Sequence, residues 1–448
     1  MPTVTFTVKE AYVELGNTVI NGIRLRKFQE ELFDSIGKYR RILLNAPTGS
    51  GKTVTLLLSA IKSFLDGTFY PTVGVYPSKA LVYDQARSVK LMLERMGFRR
   101  TDNNTFRGEL VINGERKGEM EIGLYVVTAD VKEIPEIPRP LSIIFTVPEY
   151  PYIYISSLGM EEIASRLIEI AVNDDFQEAV RKLNSFPRTE LRNLWNTFSM
   201  LFNGNWFLDE YHLYSGLARA SMLTLLEMFE KYNSFVKGTK TVVFSSATPV
   251  SIDVDKVIRA NTSEHGDRIR RKTRVTFHIV HDDPQLRLIE SVDGKDERRT
   301  LVVLDRVYYI AELCKKVEHA VVIWGLEIGD GKYYNCVKAK TVPQGEKLVI
   351  GNHAISFGID SDFDRGFIHA HDGETLIQRF GRIGRHGDGE AEVHIFVKAY
   401  PRVIDELEKY EGKEISYEEF LDLIGRIYEK RVDDGLDRIF FSKIKHDV

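Results

Sequence analysis

The octapeptide Ala46-Pro47-Thr48-Gly49-Ser50-Gly51-Lys52-Thr53 stands between the apolar run RRILLNAP and the helical run VTLLLSAIKSFL. A strand, a glycine turn and a helix in that order make a phosphate loop. Gly49 and Gly51 let the backbone curl so that the N–H groups around Thr48 and Ser50 point at phosphate oxygens, and the helix adds the positive end of its dipole. Lys52 would neutralise the β- and γ-phosphates, and the Thr53 hydroxyl would hold Mg2+. The general pattern opens with glycine where this loop has Ala46. Triphosphate chemistry also needs an acidic pair, and Asp209-Glu210 closes the hydrophobic run NWFL. Adjacent side chains at a strand end point different ways, so Asp209 would bind the metal while Glu210 orients and deprotonates the attacking water. Far downstream, Arg382 and Arg385 lie three residues apart. That spacing predicts one helical face from which both reach a γ-phosphate and stabilise transition-state charge.

Those side chains need a scaffold, and the apolar runs supply one. RRILLNAP, TVGVYP, IGLYVVTAD, LSIIFTVPE, NWFLDE and KTVVFSSATP each end in turn or polar residues. Continuous rather than alternating apolar runs suit strands buried on both faces of a parallel sheet, whose active sites lie at the strands' carboxyl ends. The loop, the acidic pair and Ser246 all fall at such ends. Strand-like runs resume at TFHIVH, TLVVLDRV, AVVIWGL, KLVIGNH and AEVHIFVK, which predicts a second α/β unit. The division expected is a first domain over 1–250 with a helical insertion at about 150–204. A linker over 251–274, a second domain over 275–400 and a helical segment over 401–448 follow.

Composition excludes other classes. The chain has 448 residues, 43% apolar and 28% charged, enough for buried cores and unlike a disordered protein. With 61 basic and 65 acidic side chains the formal charge is -4, so a polyanion site must be a local patch. No run of about 18 apolar residues predicts a membrane span, and the N-terminus lacks the build of a signal peptide, so a cytoplasmic protein is expected. Cys314 and Cys336 are the only cysteines and are read as inert buried thiols in a reducing compartment. Glutamine occurs six times among abundant Lys and Glu, a bias reported for hyperthermophile proteins.

Taken in order, the motifs resemble those of superfamily-two helicases across most of the chain. Phe28-Gln29 resembles the adenine-reading element, with Gln29 on the base edge. Tyr76-Pro77-Ser78-Lys79-Ala80-Leu81 and Thr146-Val147-Pro148-Glu149 resemble motifs Ia and Ib, which touch the nucleic-acid backbone through Ser78, Lys79 and Thr146. Hydroxyls and a cation at strand ends hold phosphates without reading sequence. Asp209-Glu210-Tyr211-His212 is the DExH form of motif II, and Ser246-Ala247-Thr248 resembles motif III, whose hydroxyls, with His212, would couple hydrolysis to the nucleic-acid cleft. Ile355 to Asp360 resembles motif V, where Gly358 permits close backbone approach and Asp360 caps a turn or touches the ribose. Gln378-Arg379-Phe380-Gly381-Arg382-Ile383-Gly384-Arg385 resembles motif VI, which adds Gln378 to the catalytic set.

The resemblance implies two tandem RecA-like parallel-sheet domains, ATP and Mg2+ as cofactors, and translocation along single-stranded DNA in the 3′ to 5′ sense. Within the superfamily, the tyrosine and histidine after the acidic pair resemble the stand-alone helicase subunit of type I CRISPR interference. That implies partners: a separate HD-type nuclease and the CRISPR effector complex. A DNA-repair or RNA helicase, or a nucleotide-switched recruitment module, remain the alternatives. The pairs His281-Asp282, His371-Asp372 and His446-Asp447 are read as chance, with no histidine constellation for a metal cluster. The basic run Arg268, Arg270, Arg271, Lys272 and Arg274 is read as a solvated linker face.

Overall fold

The computed structural model describes residues 2–128, 141–150, 203–214, 216–235, 239–247, 252–263, 265–294, 296–323, 332–339, 342–343, 345–352 and 362–428. The expected helical insertion therefore falls almost wholly outside the described residues, as do Thr248, Gly358 and Asp360. The chain forms two compact units.

The unit built on Leu15–Pro47 and Gly51–Ala260 has a mixed sheet. Its parallel core runs Lys256–Arg259, Arg41–Asn45, Val242–Ser246, Asn205–Leu208, Thr72–Val75, Ser142–Thr146 and Glu115–Val127. Antiparallel strands Thr105–Ile112, Leu15–Ile20 and Ile23–Arg26 extend it. Every apolar run named above for this half of the sequence is one of the parallel strands. They are buried on both faces, as continuous apolar composition requires; Val242–Ser246 and Asn205–Leu208 are buried throughout. The helix Val54–Leu65 packs its leucines on this sheet. Gly74 is the residue that lets it come close, because a Cβ there would meet the Leu56 side chain at 2.6 Å.

The unit built on Met1–Glu14 and Asn261–Val432 has a second sheet. Parallel strands Cys336–Lys338, Ala320–Ile323, Leu348–Gly351, Thr300–Val303, Arg365–Ile368, Ala391–Lys398 and Thr273–Val280 lie side by side in that order. Two such parallel, helix-covered sheets are the RecA-like architecture. The helices Pro401–Glu408 and Tyr417–Ile427 pack within this unit, with Phe420 in contact with Phe380. No helix among the described residues is long and apolar enough to cross a membrane.

Three expectations change. The N-terminal strand Thr3–Val8, expected in the first domain, pairs antiparallel with Thr273–Val280 in the second sheet. Its alternating pattern suits a sheet flank, and local sequence carries no signal for a partner some 270 positions away. The expected linker is not a linker. Lys256–Arg259 is an edge strand of the first sheet, and Thr262–Ser263 and Asp267–Arg270 pair with Ala11–Val13. Arg270 and Arg271 are consequently buried rather than solvated: Arg270 lies 3.4 Å from the Phe380 ring centroid, and Arg271 pairs with Asp364 at 2.7 Å. Finally, the cysteines are not free thiols. Cys314, on the helix Val307–Lys316, is disulfide-bonded to Cys336 with Cα atoms 5.5 Å apart, both side chains in the core of the second unit.

Candidate functional site

The carboxyl ends of four neighbouring strands, Arg41–Asn45, Val242–Ser246, Asn205–Leu208 and Thr72–Val75, hold the candidate site. After Asn45 the chain turns through Gly49 (φ 80°) and Gly51 (φ 78°) into the helix Val54–Leu65. Residues with a Cβ rarely adopt that left-handed backbone, so glycine is required at both positions. Gln29 fixes the loop from behind. Its Oε1 accepts from the Arg26 backbone N–H at 2.9 Å, and its Nε2 donates to the Gly51 carbonyl at 3.0 Å.

Lys52 projects from this loop to the acidic pair, donating from Nζ to Glu210 Oε1 at 2.9 Å. Asp209 is tied to the scaffold twice: its N–H donates to the Val75 carbonyl, and its Oδ1 accepts from the Ser245 hydroxyl at 3.0 Å. Burial, and then the charge of Glu210, push the Asp209 carboxyl up to about 6, against the pull of Lys52 and Ser245. A buried carboxylate held beside another is a place where a cation is stabilising. Glu210 itself sits at φ 47°, a left-handed conformation uncommon for a residue with a side chain; such strain costs about 1–3 kcal/mol and clusters at functional sites. The short 3-10 turn Tyr211–Leu213 follows and returns His212 to the sheet, where its Nδ1 lies 2.9 Å from Ser246 Oγ and 3.7 Å from Glu210 Oε2.

Lys52, Asp209, Glu210, His212, Ser246 and Gln29 are thus brought to one end of one sheet. Ser245 was missed by sequence reasoning, although the doubled serine at 245–246 was a signal: successive strand residues face opposite sides, so one serine meets Asp209 and the other His212. The residues expected at nucleic acid are placed differently from one another. Ser78 caps the helix Lys79–Arg95 by accepting from the Leu81 N–H, Lys79 is exposed, and Thr146 is fully buried with its hydroxyl donating to the Val147 carbonyl.

In the second unit the arginine motif departs from the expected helix. The helix Gly373–Phe380 ends before Arg382 and Arg385, which lie in the turn that follows. Gly384 takes φ 71° and Ile383 bridges to Phe363, so the two arginines are not on one helical face. Gln378 is buried within the helix, and the Arg385 N–H donates to Asp362 Oδ1 at 2.8 Å. Arg379, which carried no assignment, is fully buried and pairs with Asp305 at 2.6 Å.

Residues 26–121 match the model of the DEAD/DEAH box helicase family. No curated protein matches the sequence. Among solved structures, the fold is similar to that of the DUF1998 helicase MrfA bound to DNA and AMPPNP, with a TM-score of 0.58 at 13% identity over 100% of this chain and 63% of that one. It is also similar to the DEAD-box helicase Mss116 bound to ssRNA and UDP-BeF, with a TM-score of 0.52 at 13% identity over 94% of this chain and 83% of that one. This chain therefore spans less than two thirds of MrfA. The fold defines the class as a RecA-like α/β protein, and residues 26–121 of it are similar to a DEAD/DEAH box helicase segment.

Proposed function

We propose that this chain is a nucleic-acid-dependent ATPase that moves along single-stranded DNA. One observation carries the reading: Lys52 of a glycine phosphate loop and the strand-end pair Asp209-Glu210 converge at the carboxyl ends of a parallel sheet. A loop lysine placed for phosphates beside a base placed for water is the minimum for hydrolysis of a nucleoside triphosphate. The donor set fits Mg2+, since hard oxygen ligands are what it takes. Asp209, whose buried carboxyl the cation would hold ionised, and Thr53 would bind it. When present, Mg2+ supplies charge neutralisation at the β- and γ-phosphates.

The chain's own groups then divide the work. Lys52 exchanges Glu210 for phosphate, Glu210 orients and deprotonates water, and Gln29 turns its amide from Gly51 to the adenine edge. Ser246 and His212 pass the state of Glu210 to the nucleic-acid face, where Ser78 and Lys79 serve the backbone; Thr146, fully buried, does not reach it. Gln378, Arg382 and Arg385 are proposed for the γ-phosphate, and Gly358 and Asp360, outside the described residues, for the nucleotide. The DNA bound by MrfA supports a DNA track, and the ssRNA bound by Mss116 favours RNA as the second reading. The finer role proposed is the cytoplasmic helicase subunit of type I CRISPR interference, working with a separate HD-type nuclease and the effector complex. It rests on Tyr211 and His212 after the acidic pair.

The test is steady-state ATP hydrolysis at fixed salt with no polymer, with single-stranded DNA and with single-stranded RNA. Stimulation by DNA alone is expected. Stimulation by RNA would overturn the track, and hydrolysis indifferent to both would overturn the motor reading in favour of a nucleotide-switched recruitment module.

A further inference from the structure

Three adjacent parallel strands of the second unit, Thr300–Val303, Arg365–Ile368 and Ala391–Lys398, end at one place. Asp305 follows the first and His369 and His371 follow the second. One ligand atom from each lies within 4.8 Å of the other two. Asp305 Oδ2 is 3.1 Å from His371 Nε2 and 3.8 Å from His369 Nε2, and the two imidazoles stand edge to face with centroids 4.9 Å apart. Two ligands about 2.0–2.1 Å from a tetrahedral metal are roughly 3.3 Å from each other, so these separations bracket what such an ion requires.

The outer contacts orient His369 and Asp305 as ligands. His369 Nδ1 lies 2.8 Å from the Phe396 carbonyl on the third strand. A carbonyl only accepts, so Nδ1 carries the proton and Nε2 presents its lone pair to the cluster. Arg379 donates to Asp305 Oδ1 at 2.6 Å and to the His369 carbonyl, while Oδ2, the oxygen facing the imidazoles, is buried without a hydrogen bond. Arg379 thus holds the carboxylate by one oxygen and leaves the other for the cluster. A cavity of about 550 Å³, lined by both histidines together with Tyr400, Arg402, Val403 and Tyr428, opens on the same spot and leaves room for a fourth ligand.

We propose that Asp305, His369 and His371 bind a divalent transition metal of the Zn2+ type, through Oδ2 and two Nε2 atoms, with water from the cavity in the fourth position. Two imidazoles and a carboxylate suit that class, whereas Mg2+ prefers oxygen alone. The site uses none of the residues assigned to nucleotide and does not depend on the proposed ATPase activity. The sequence conceals it because the spacing His369-x-His371 resembles no metal motif until Asp305, 64 positions earlier, is folded beside it.

The test is titration of the full chain with Co2+, in excess Mg2+ and ADP to fill the nucleotide site, read by the visible d–d band of tetrahedral Co2+. One equivalent is expected, displaced by Zn2+. His371→Ala, at a largely exposed side chain, should weaken Co2+ binding at least tenfold with the circular dichroism unchanged, and His369→Gln should do the same. Absence of the tetrahedral band in the wild-type chain, or a band of equal affinity in His371→Ala, would overturn the site and leave an ordinary His371–Asp305 ion pair.

Discussion

Lys52 Nζ and Glu210 Oε1 are 2.9 Å apart although 158 positions separate them in the chain. Their side chains are only 11% and 13% exposed, so each charge depends on the other. Breaking a buried pair without replacement costs about 3–5 kcal/mol. On the proposed function, an incoming triphosphate would replace the carboxylate as the partner of Lys52 and free Glu210 for water as nucleotide binds.

From this exchange follows the behaviour of Glu210→Gln. Loss of the general base should lower hydrolysis by about 10²–10⁴-fold. Nucleotide affinity should be kept or raised, because Lys52 no longer has a carboxylate to leave. Fluorescent-nucleotide titration beside phosphate release separates the two effects, and retained turnover would remove Glu210 from its role.

Ser246→Ala addresses coupling. The Ser246 hydroxyl is 2.9 Å from His212 Nδ1, which also lies 3.7 Å from Glu210 Oε2. One lost hydrogen bond is worth about 1 kcal/mol, so stimulation of hydrolysis by single-stranded DNA should fall by roughly five- to tenfold while nucleotide affinity is unchanged. Equal stimulation in the variant would place the coupling elsewhere.

The Cys314–Cys336 bond closes a loop with a sequence separation of 22. Restricting the unfolded chain over a loop of that length stabilises by about 3 kcal/mol. Urea unfolding with and without reductant should show that loss in the wild type, and the double replacement Cys314→Ala with Cys336→Ala should be insensitive to reductant. Identical wild-type curves under both conditions would mean that the bond does not form.

His278 sets an acid limit. Burial, then the neighbouring His394, pull its pKa down to about 4, and its ring stacks on Phe396 with centroids 4.4 Å apart. The unfolded chain, with a value of about 6.5, takes up that proton first, so stability is complete above pH 6.5 and is lost as the pH falls toward 4. Allowing for solvent at a half-buried site, the loss is on the order of 1–2 kcal/mol. His278→Phe should flatten the stability curve between those limits; an unchanged slope would assign the acid sensitivity to other groups.

The alternation of continuous apolar runs with amphipathic ones determined both parallel sheets, because a strand covered on two faces must be apolar throughout. The glycine loop and the acidic pair were legible for a related reason: backbone that turns at φ near 80° needs glycine, and charges at strand ends need a function. Sequence alone could not decide where Thr3–Val8 pairs, since an alternating strand fits any sheet flank. Nor could it show that the helix ends at Gly381, before Arg382, or that Arg270 is buried against Phe380 rather than solvated. Only the tertiary structure joined Cys314 to Cys336 and set Asp305 beside His369 and His371. The first contact arises where the helix Val307–Lys316 meets the strand Cys336–Lys338 and the second where neighbouring parallel strands end together, and strand order is a property of the folded sheet that no local spacing encodes.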